Sequence, residues 1–305
     1  MTEVLVSGLI NIETTLKVDA FPLTYEPVRY PFFGINSSVS GVGYNIAKAL
    51  TLLGDDVLFL SLIGEDLAGD QVRKSLTADR IDDTMILSVM PNTAQSVIIY
   101  NNDGKRQIHT DLKDIQDRAY PAEKFDEALA QCSLAVLCNI NYNRHLLERA
   151  KRAGVLLATD VHTISASDDT YNSDFMAAAD ILFLSDEALP CSPEEFARRL
   201  QDRYGTAVIV IGLGAAGALL AVKDDNFMAR IPAVQTRPIV NTIGAGDALF
   251  SSFLHIFSEN RNPYEAVQKA VVFASYKIGE AGAAKGFLSA PELDLLVTSI
   301  KENGG

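Results

Sequence analysis

Cysteine is scarce in this chain and follows no pattern. Cys132, Cys138 and Cys191 are the three in 305 residues, and no C-x-x-C or Cys/His spacing of a metal site is present. Reduced, mostly buried thiols in a cytoplasmic protein are the expectation. No segment approaches the roughly 20 apolar residues of a membrane span. The N-terminus lacks the basic start of a signal peptide and reads as a strand. Positive charge is also short: 26 Lys and Arg against 39 Asp and Glu leave a formal net charge of −13. That balance removes any electrostatic drive toward nucleic acid or anionic membranes. A phosphorylated ligand would therefore have to be held by local backbone amides and a few basic side chains. No linker, low-complexity tract or internal repeat divides the chain. Hydrophobic residues are 48% and charged residues 21%, an ordinary globular balance, and one α/β domain over residues 1–305 is the simplest account.

Hydrophobic periodicity supplies the elements. Residues 4–10 and 57–62 are continuous apolar runs of strand length. Between 40 and 54, apolar residues recur at helical spacing, with Ser40 as the expected cap and Gly54 as the stop. Residues 14–37 carry Pro22, Pro27 and Pro31 and read as strands and turns that leave the main core. Residues 84–90, 94–101 and 105–109 read as strands, with a hairpin turn at 101–104. These two stretches predict a small sheet, a lid, formed by about 12–38 and 84–110. From 133 to 211, strands at 134–139, 155–159, 180–184 and 207–211 alternate with helices at 142–153, 172–179 and 192–204. That alternation predicts a parallel sheet with helices on both faces. Asn262, Pro263 and Glu265 mark the start of a long helix.

The chemistry concentrates in Thr242-Ile243-Gly244-Ala245-Gly246-Asp247, which runs straight into the apolar stretch 248–257. The Gly-Ala-Gly segment thus sits at a helix N-terminus, where the first backbone N–H groups have no intrahelical partner and the dipole is positive. Small residues let a phosphate approach that backbone. A carboxylate beside it suits phosphoryl transfer, with Asp247 taking a hydroxyl proton. A plain helix cap would also use Gly, Thr and Asp, but the following helix is apolar on nearly all faces, and a buried helix start needs its amides satisfied.

A second glycine cluster is a decoy. Gly212-Leu213-Gly214-Ala215-Ala216-Gly217 follows a strand and fits G-x-G-x-x-G, a dinucleotide fingerprint. The residues after it, 218–222 and 227–230 about a turn at 223–226, read as a β-hairpin rather than the helix that fingerprint requires, and no acidic residue ends a second strand about 20 residues on.

Residues 241–247 resemble the D-T-x-G-A-G-D motif of the ribokinase, or PfkB, family of carbohydrate and nucleoside kinases. Ser40-Gly41-Val42-Gly43-Tyr44-Asn45-Ile46-Ala47 resembles the family's G-G-x-G-x-N-x-A, and residues 62–69 its I-G-x-D-x-x-G. Thr93 and Asp103-Gly104-Lys105-Arg106 match the T…G-x-R of the lid strands. The matches fall in family order. The resemblance implies a ribokinase-like three-layer α/β fold with a β-sheet lid, ATP across the C-terminal ends of the strands, and a sugar, nucleoside or related small alcohol under the lid. It implies Asp247 as base, ionised at its helix N-terminus, and Gly244, Ala245 and Gly246 as amide donors. On the acceptor side it implies Asn11, Glu13 (where the family has Asp), Gly41, Gly43, Asn45 and Arg106. On the nucleotide side it implies Ser185, Gly212, Gly214, Gly217 and Thr242. Mg²⁺ would ride on the ATP phosphates and water, with Glu187 and Asn241 as the protein's candidate ligands.

The chain departs from the family at several points. Asn241 replaces an Asp that in many members helps hold a monovalent cation, which leaves potassium activation an open question. Ser185-Asp186-Glu187-Ala188 lacks the last Glu of N-x-x-E, Gly212 replaces a Thr, and Ser40 replaces a Gly. These departures leave open a second reading, a catalytically weak ligand-binding or regulatory protein on the same fold. Exposed lid strands offer a route to a homodimer.

Overall fold

The computed structural model describes residues 3–167 and 169–303. In chain order the strands are β1 (Glu3–Ser7), β2 (Asn11–Lys17), β3 (Ile35–Ser40), β4 (Asp56–Gly64), β5 (Ile86–Met90), β6 (Gln95–Tyr100), β7 (Arg106–Asp111), β8 (Leu134–Leu137), β9 (Leu156–Thr163), β10 (Ile181–Ser185), β11 (Val208–Gly212), β12 (Ala218–Val222) and β13 (Phe227–Ile231). The helices are α1 (Val42–Leu53), α2 (Leu67–Ala78), α3 (Ala122–Leu129), α4 (Arg144–Ala153), α5 (Ser173–Ala178), α6 (Pro193–Tyr204), α7 (Ala245–Asn260), α8 (Pro263–Lys277) and α9 (Ala290–Asn303). Among the described residues no helix is long and apolar enough to cross a membrane.

Nine strands form the large sheet in the order β13-β12-β11-β10-β9-β8-β1-β4-β5. It is parallel from β11 to β5 and antiparallel through β11, β12 and β13, so it is mixed rather than all parallel. Both faces are covered, which is why Val4, Leu5 and Val6 of β1 are apolar without alternation. Val4 and Val6 join the core under α1, α7 and α8, while Leu5 joins the opposite core against α3 to α6. Helix α7 packs against both α8 and α1, and all of Asp247 to Phe257 is buried, as its all-round apolar sequence requires. Local signals fix several ends. Ser192 accepts from Glu195 N–H at the start of α6, Asn262 accepts from Tyr264 and Glu265 N–H at the start of α8, and Gly54 closes α1 in the left-handed conformation.

Four strands form the small sheet, in the order β3-β2-β6-β7. The register pairs Asn11 with Ser40 and Glu13 with both Ser38 and Ser96. Because strand side chains alternate, Asn11, Glu13, Ser40, Ser96 and Ile98 share one face of this sheet, and all five are buried.

Three expectations need correction. The strand expected over 4–10 stops at Ser7; residues 8–10 turn out of the large sheet and lead into β2 of the small one. The stretch 84–90, expected in the lid, is β5 and pairs in parallel with β4 at the edge of the large sheet. Alternation identified it as a strand but carries no information on which sheet receives it. Ser40 does not cap α1. The N-cap is Gly41, and Ser40 Oγ instead donates to Glu13 Oε2 at 3.0 Å and Asn45 Oδ1 at 3.3 Å.

Candidate active site

Asp247 at the start of α7 lies within electrostatic reach of Cys138, just after β8, and of Asp160 and His162 on β9, near the C-terminal edge of the parallel strands where ligands usually bind such a sheet. Gly244 is the N-cap, with φ of 76°. A Cβ there would stand 2.6 Å from Ala283 O, so the left-handed turn and the close approach both require glycine. Among the described residues, the N–H groups of Gly244, Gly246 and Asp247 have no protein acceptor. Ala245 was expected to join them, but its N–H donates to Thr242 O at 3.2 Å. Gly246 is exposed, and a Cβ built on it meets nothing within 4 Å. The start of α7 therefore leaves three backbone N–H groups without a protein acceptor, with open space at Gly246, an arrangement able to bind an anion.

Asp247 is the buried carboxylate of that site. Its Oδ2 accepts from Asn45 Nδ2 at 2.6 Å, and its backbone oxygen accepts from Ser251 Oγ. Burial raises its pKa above the ordinary aspartate value; the Asn45 bond and the charges of His162 and Lys277 oppose the rise, and Asp160 adds to it. The helix-terminus argument, which pointed to an unperturbed, ionised carboxylate, is outweighed by desolvation.

The acceptor candidates divide. Asn11 and Glu13 stand together on the inner face of β2. Asn11 Nδ2 donates to Ser96 Oγ at 3.1 Å, while Asn11 Oδ1 and Glu13 Oε1 are buried without a partner. Two orphaned acceptors in one place are costly unless a ligand supplies donors. Burial raises the pKa of Glu13 and Asp247 adds to the rise, whereas Ser40, the Ala283 backbone and Lys277 oppose it. Asn45, expected to face the ligand, has both ends engaged inside the protein, by Ser40 and Asp247, and so positions the carboxylate. Gly41 and Gly43 were expected to admit a polyol. Protein fills that space instead: a Cβ at Gly41 would lie 2.6 Å from Leu9 O, and one at Gly43 would lie 2.5 Å from Gly8 C.

On the nucleotide side, Ser185 and Gly212 end the adjacent strands β10 and β11 in register. Ser185 Oγ accepts from Glu187 N–H at 3.3 Å. Gly217 is glycine for a backbone reason, since its Cβ would collide with Ile231 O at 2.0 Å, whereas Gly214 faces open space. A single 3-10 turn, Gly214–Ala216, and then the hairpin β12–β13 follow, in place of the α-helix that a dinucleotide fingerprint requires. Arg106, expected over the acceptor, reaches across from β7 to Thr242 Oγ1 at 3.0 Å and comes within 4.0 Å of Glu187 Oε2. Below it, Ile98 and Tyr100 of β6 pack on Ile243 and Ala283, so the small sheet rests on the turn that opens α7. Asn241 Oδ1 accepts from Ile243 N–H at 3.1 Å and stabilises that turn. Among the described residues no group of three His, Cys, Asp or Glu side chains is arranged to hold a metal ion. A metal here would depend on nucleotide phosphates and water, with the exposed Glu187 as a single protein carboxylate.

Sequence reasoning missed two residues near Asp247. Lys277 is wholly buried, and its Nζ donates to Ile243 O and Gly282 O. Burial lowers its pKa to about 8, against the favourable charges of Asp247 and Glu13. A signal existed: Ala266, Ala270, Phe273 and Lys277 fall on one helical stripe whose other members are core. His162, near the end of β9 with φ of 58°, has its N–H bound to Asp160 Oδ1 and lies within electrostatic reach of Asp247; a single His at a strand end gave no such warning.

Comparisons with known proteins identify the fold and the family. An acarbose 7(IV)-phosphotransferase of Actinoplanes sp. is 27% identical over 255 residues, covering 83% of this chain and 84% of its own. A deoxyribokinase of Salmonella typhi is 25% identical over 309 residues, covering 94% and 96%. The solved structure of a microbiome-derived acarbose kinase, Mak1, superposes with a TM-score of 0.87 at 22% identity, covering 97% of this chain and 99% of that one, which establishes the ribokinase-like α/β fold. The description "pfkB family carbohydrate kinase" matches residues 1–290. The chain belongs to the pfkB family of carbohydrate kinases.

Proposed function

We propose that this kinase transfers the γ-phosphoryl group of ATP to one hydroxyl of a neutral sugar, nucleoside or related small alcohol held between the small sheet and the large one. The observation that carries the reading is the start of α7, where buried Asp247 stands beside three free amides in front of an open Gly246. When bound, ATP supplies the phosphoryl group, and Mg²⁺ neutralises charge on its phosphates. The chain's own part is positional and electrostatic. The amides of Gly244, Gly246 and Asp247 hold the phosphoryl oxygens. Asp247 Oδ, held by Asn45, accepts the proton of the attacking hydroxyl. Asn11 Oδ1 and Glu13 Oε1 accept hydrogen bonds from the acceptor's other hydroxyls. Ser185, Gly212, Gly214 and Thr242 border the nucleotide, with Arg106 and Glu187 at its phosphate end.

A neutral acceptor is favoured because two carboxylates, Glu13 and Asp247, face it and would repel a phosphorylated one. The kinship with enzymes named for acarbose and deoxyribose supports a carbohydrate. We further propose a homodimer formed through the small sheet, whose edge strand β7 is exposed along its whole length.

The test is ADP formation from Mg·ATP across a panel of sugars, oligosaccharides and nucleosides. One acceptor should turn over, and Asp247→Asn should lower kcat by about 10²- to 10⁴-fold. Acceptor and ATP binding without turnover in the wild type would instead establish a ligand-binding protein on this fold.

A further inference from the structure

Lys277 ends α8 in a place where a charged side chain is expensive. It is wholly buried, on the same stripe as Ala266, Ala270 and Phe273. Desolvating an ammonium costs several kcal/mol by order of magnitude unless its donors are met. Both of its hydrogen bonds go to backbone carbonyls, those of Ile243 and Gly282, the latter at 2.9 Å. Those carbonyls flank the catalytic turn. Ile243 immediately precedes the N-cap, and Gly282 precedes Ala283, whose carbonyl presses on Gly244. A trans peptide holds its C=O and N–H on opposite sides. With Ile243 O drawn to the ammonium, Gly244 N–H must point the other way, and there it has no protein acceptor. The turn also carries a neutral amide, Asn241, whose oxygen is occupied by Ile243 N–H.

Resting on the proposed phosphotransfer, we propose that Lys277 is a positioning residue whose ammonium serves as the internal cation of the anion site. It fixes the Ile243–Gly244 peptide with its N–H toward the transferring phosphoryl, and below about pH 8 it places a positive charge behind the turn. The chain thereby carries, covalently tethered, the charge that a bound monovalent cation would otherwise bring to these two carbonyls. A second cation at the same oxygens would be repelled by the first. The groups facing the ammonium are Asp247 from α7 and Glu13 from β2, which hold it charged, and Arg237 and Arg106, which act against it.

Steady-state kinetics in the chloride salts of sodium, potassium and choline test the proposal. The wild-type rate is expected to be indifferent to the cation and to fall on the alkaline side near pH 8, where the ammonium deprotonates. Lys277→Met should lower kcat by about 10²-fold, the scale of one lost anion-hole donor, with the KM for ATP little changed. Lys277→Ala opens a space at the two carbonyls; potassium or ammonium ions should restore part of its rate, and choline none. A purely structural role would lower the melting temperature and show no ion-specific rescue. Potassium activation of the wild type overturns the proposal, as does an unaltered kcat in Lys277→Met. If both variants fail to fold, the cation response of the wild type decides alone: indifference supports the internal cation and activation overturns it. If the wild type phosphorylates no acceptor, the proposed function fails separately. The affinity of the ADP-loaded wild type and Lys277→Met for inorganic phosphate then decides: weaker binding in the variant supports the internal cation, and equal binding overturns it.

Discussion

At the scale of single residues, the site is a set of buried charges that perturb one another. Burial raises Asp247 above its reference value of 3.8. A base must be deprotonated to work, so the raised value moves the loss of activity to higher pH. The acid limb of kcat/KM should therefore have its midpoint above the usual aspartate range, which a pH–rate profile reads directly. Glu13 makes a second expectation. Its unpartnered Oε1 awaits a donor, so Glu13→Ala should raise the acceptor KM about 10- to 100-fold, the equivalent of about 1–3 kcal/mol for a buried polar group. The KM for ATP should not move; if both constants rise together, Glu13 supports the fold rather than the acceptor. Lys277 has the opposite linkage. Its folded-state value lies near 8, below the reference 10.5. Between these values the unfolded chain binds more protons, so this group makes stability increase as pH rises through that window, by roughly 3 kcal/mol at about 1.4 kcal/mol per pKa unit. Urea unfolding at pH 7.5 and pH 10 should show that increment in the wild type and not in Lys277→Met.

At the scale of elements, the turn that opens α7 is held from two sides. The end of α8 grips it through Ile278 O, which accepts from Val240 and Asn241 N–H, and through Lys277. The small sheet rests on it through Ile98 and Tyr100. Ile98→Ala removes the buried part of that rest, at a cost of about 2–5 kcal/mol for a core truncation. Amide exchange across β6 and β7 should quicken, and ATP hydrolysis without an acceptor should increase; unchanged exchange there would show that the sheet is held elsewhere. These contacts also show where the sequence was legible. The G-A-G-D turn, the apolar α7, the lid strands β2, β6 and β7 and the β12–β13 hairpin all carry local signals, because backbone geometry and periodicity dictate them. The roles of Gly41, Gly43 and Asn45 did not. Their partners, at Gly8, Leu9 and Asp247, come from other elements, and a glycine reserved for a ligand looks the same in sequence as one reserved for a neighbouring strand. Strand β5 was legible as a strand and illegible as a member of the large sheet for the same reason. Lys277 was half legible: a lysine on an apolar helical stripe announces a buried charge without naming what it binds.

At the scale of the whole molecule, a net charge of −13 supplies no broad positive field, so an anionic ligand must be held by local groups. The small sheet leaves β7 uncovered, with Ile108 about half exposed. If two copies pair there, Ile108→Lys should convert a dimer to a monomer in sedimentation velocity without lowering the melting temperature of the folded unit; a wild type that sediments as a monomer at all concentrations removes the pairing. The hydrogen bond between Asn45 and Asp247 joins residues 202 apart in sequence, and the face of the large sheet under α1 is covered by α7 and α8, which come late in the chain. A ribosome delivers β1, β4 and α1 long before their cover exists. Until α7 and α8 emerge, the nascent protein carries a bare apolar surface that invites chaperones, and the enzyme's chemistry and its protection from aggregation arrive in the same stretch of translation.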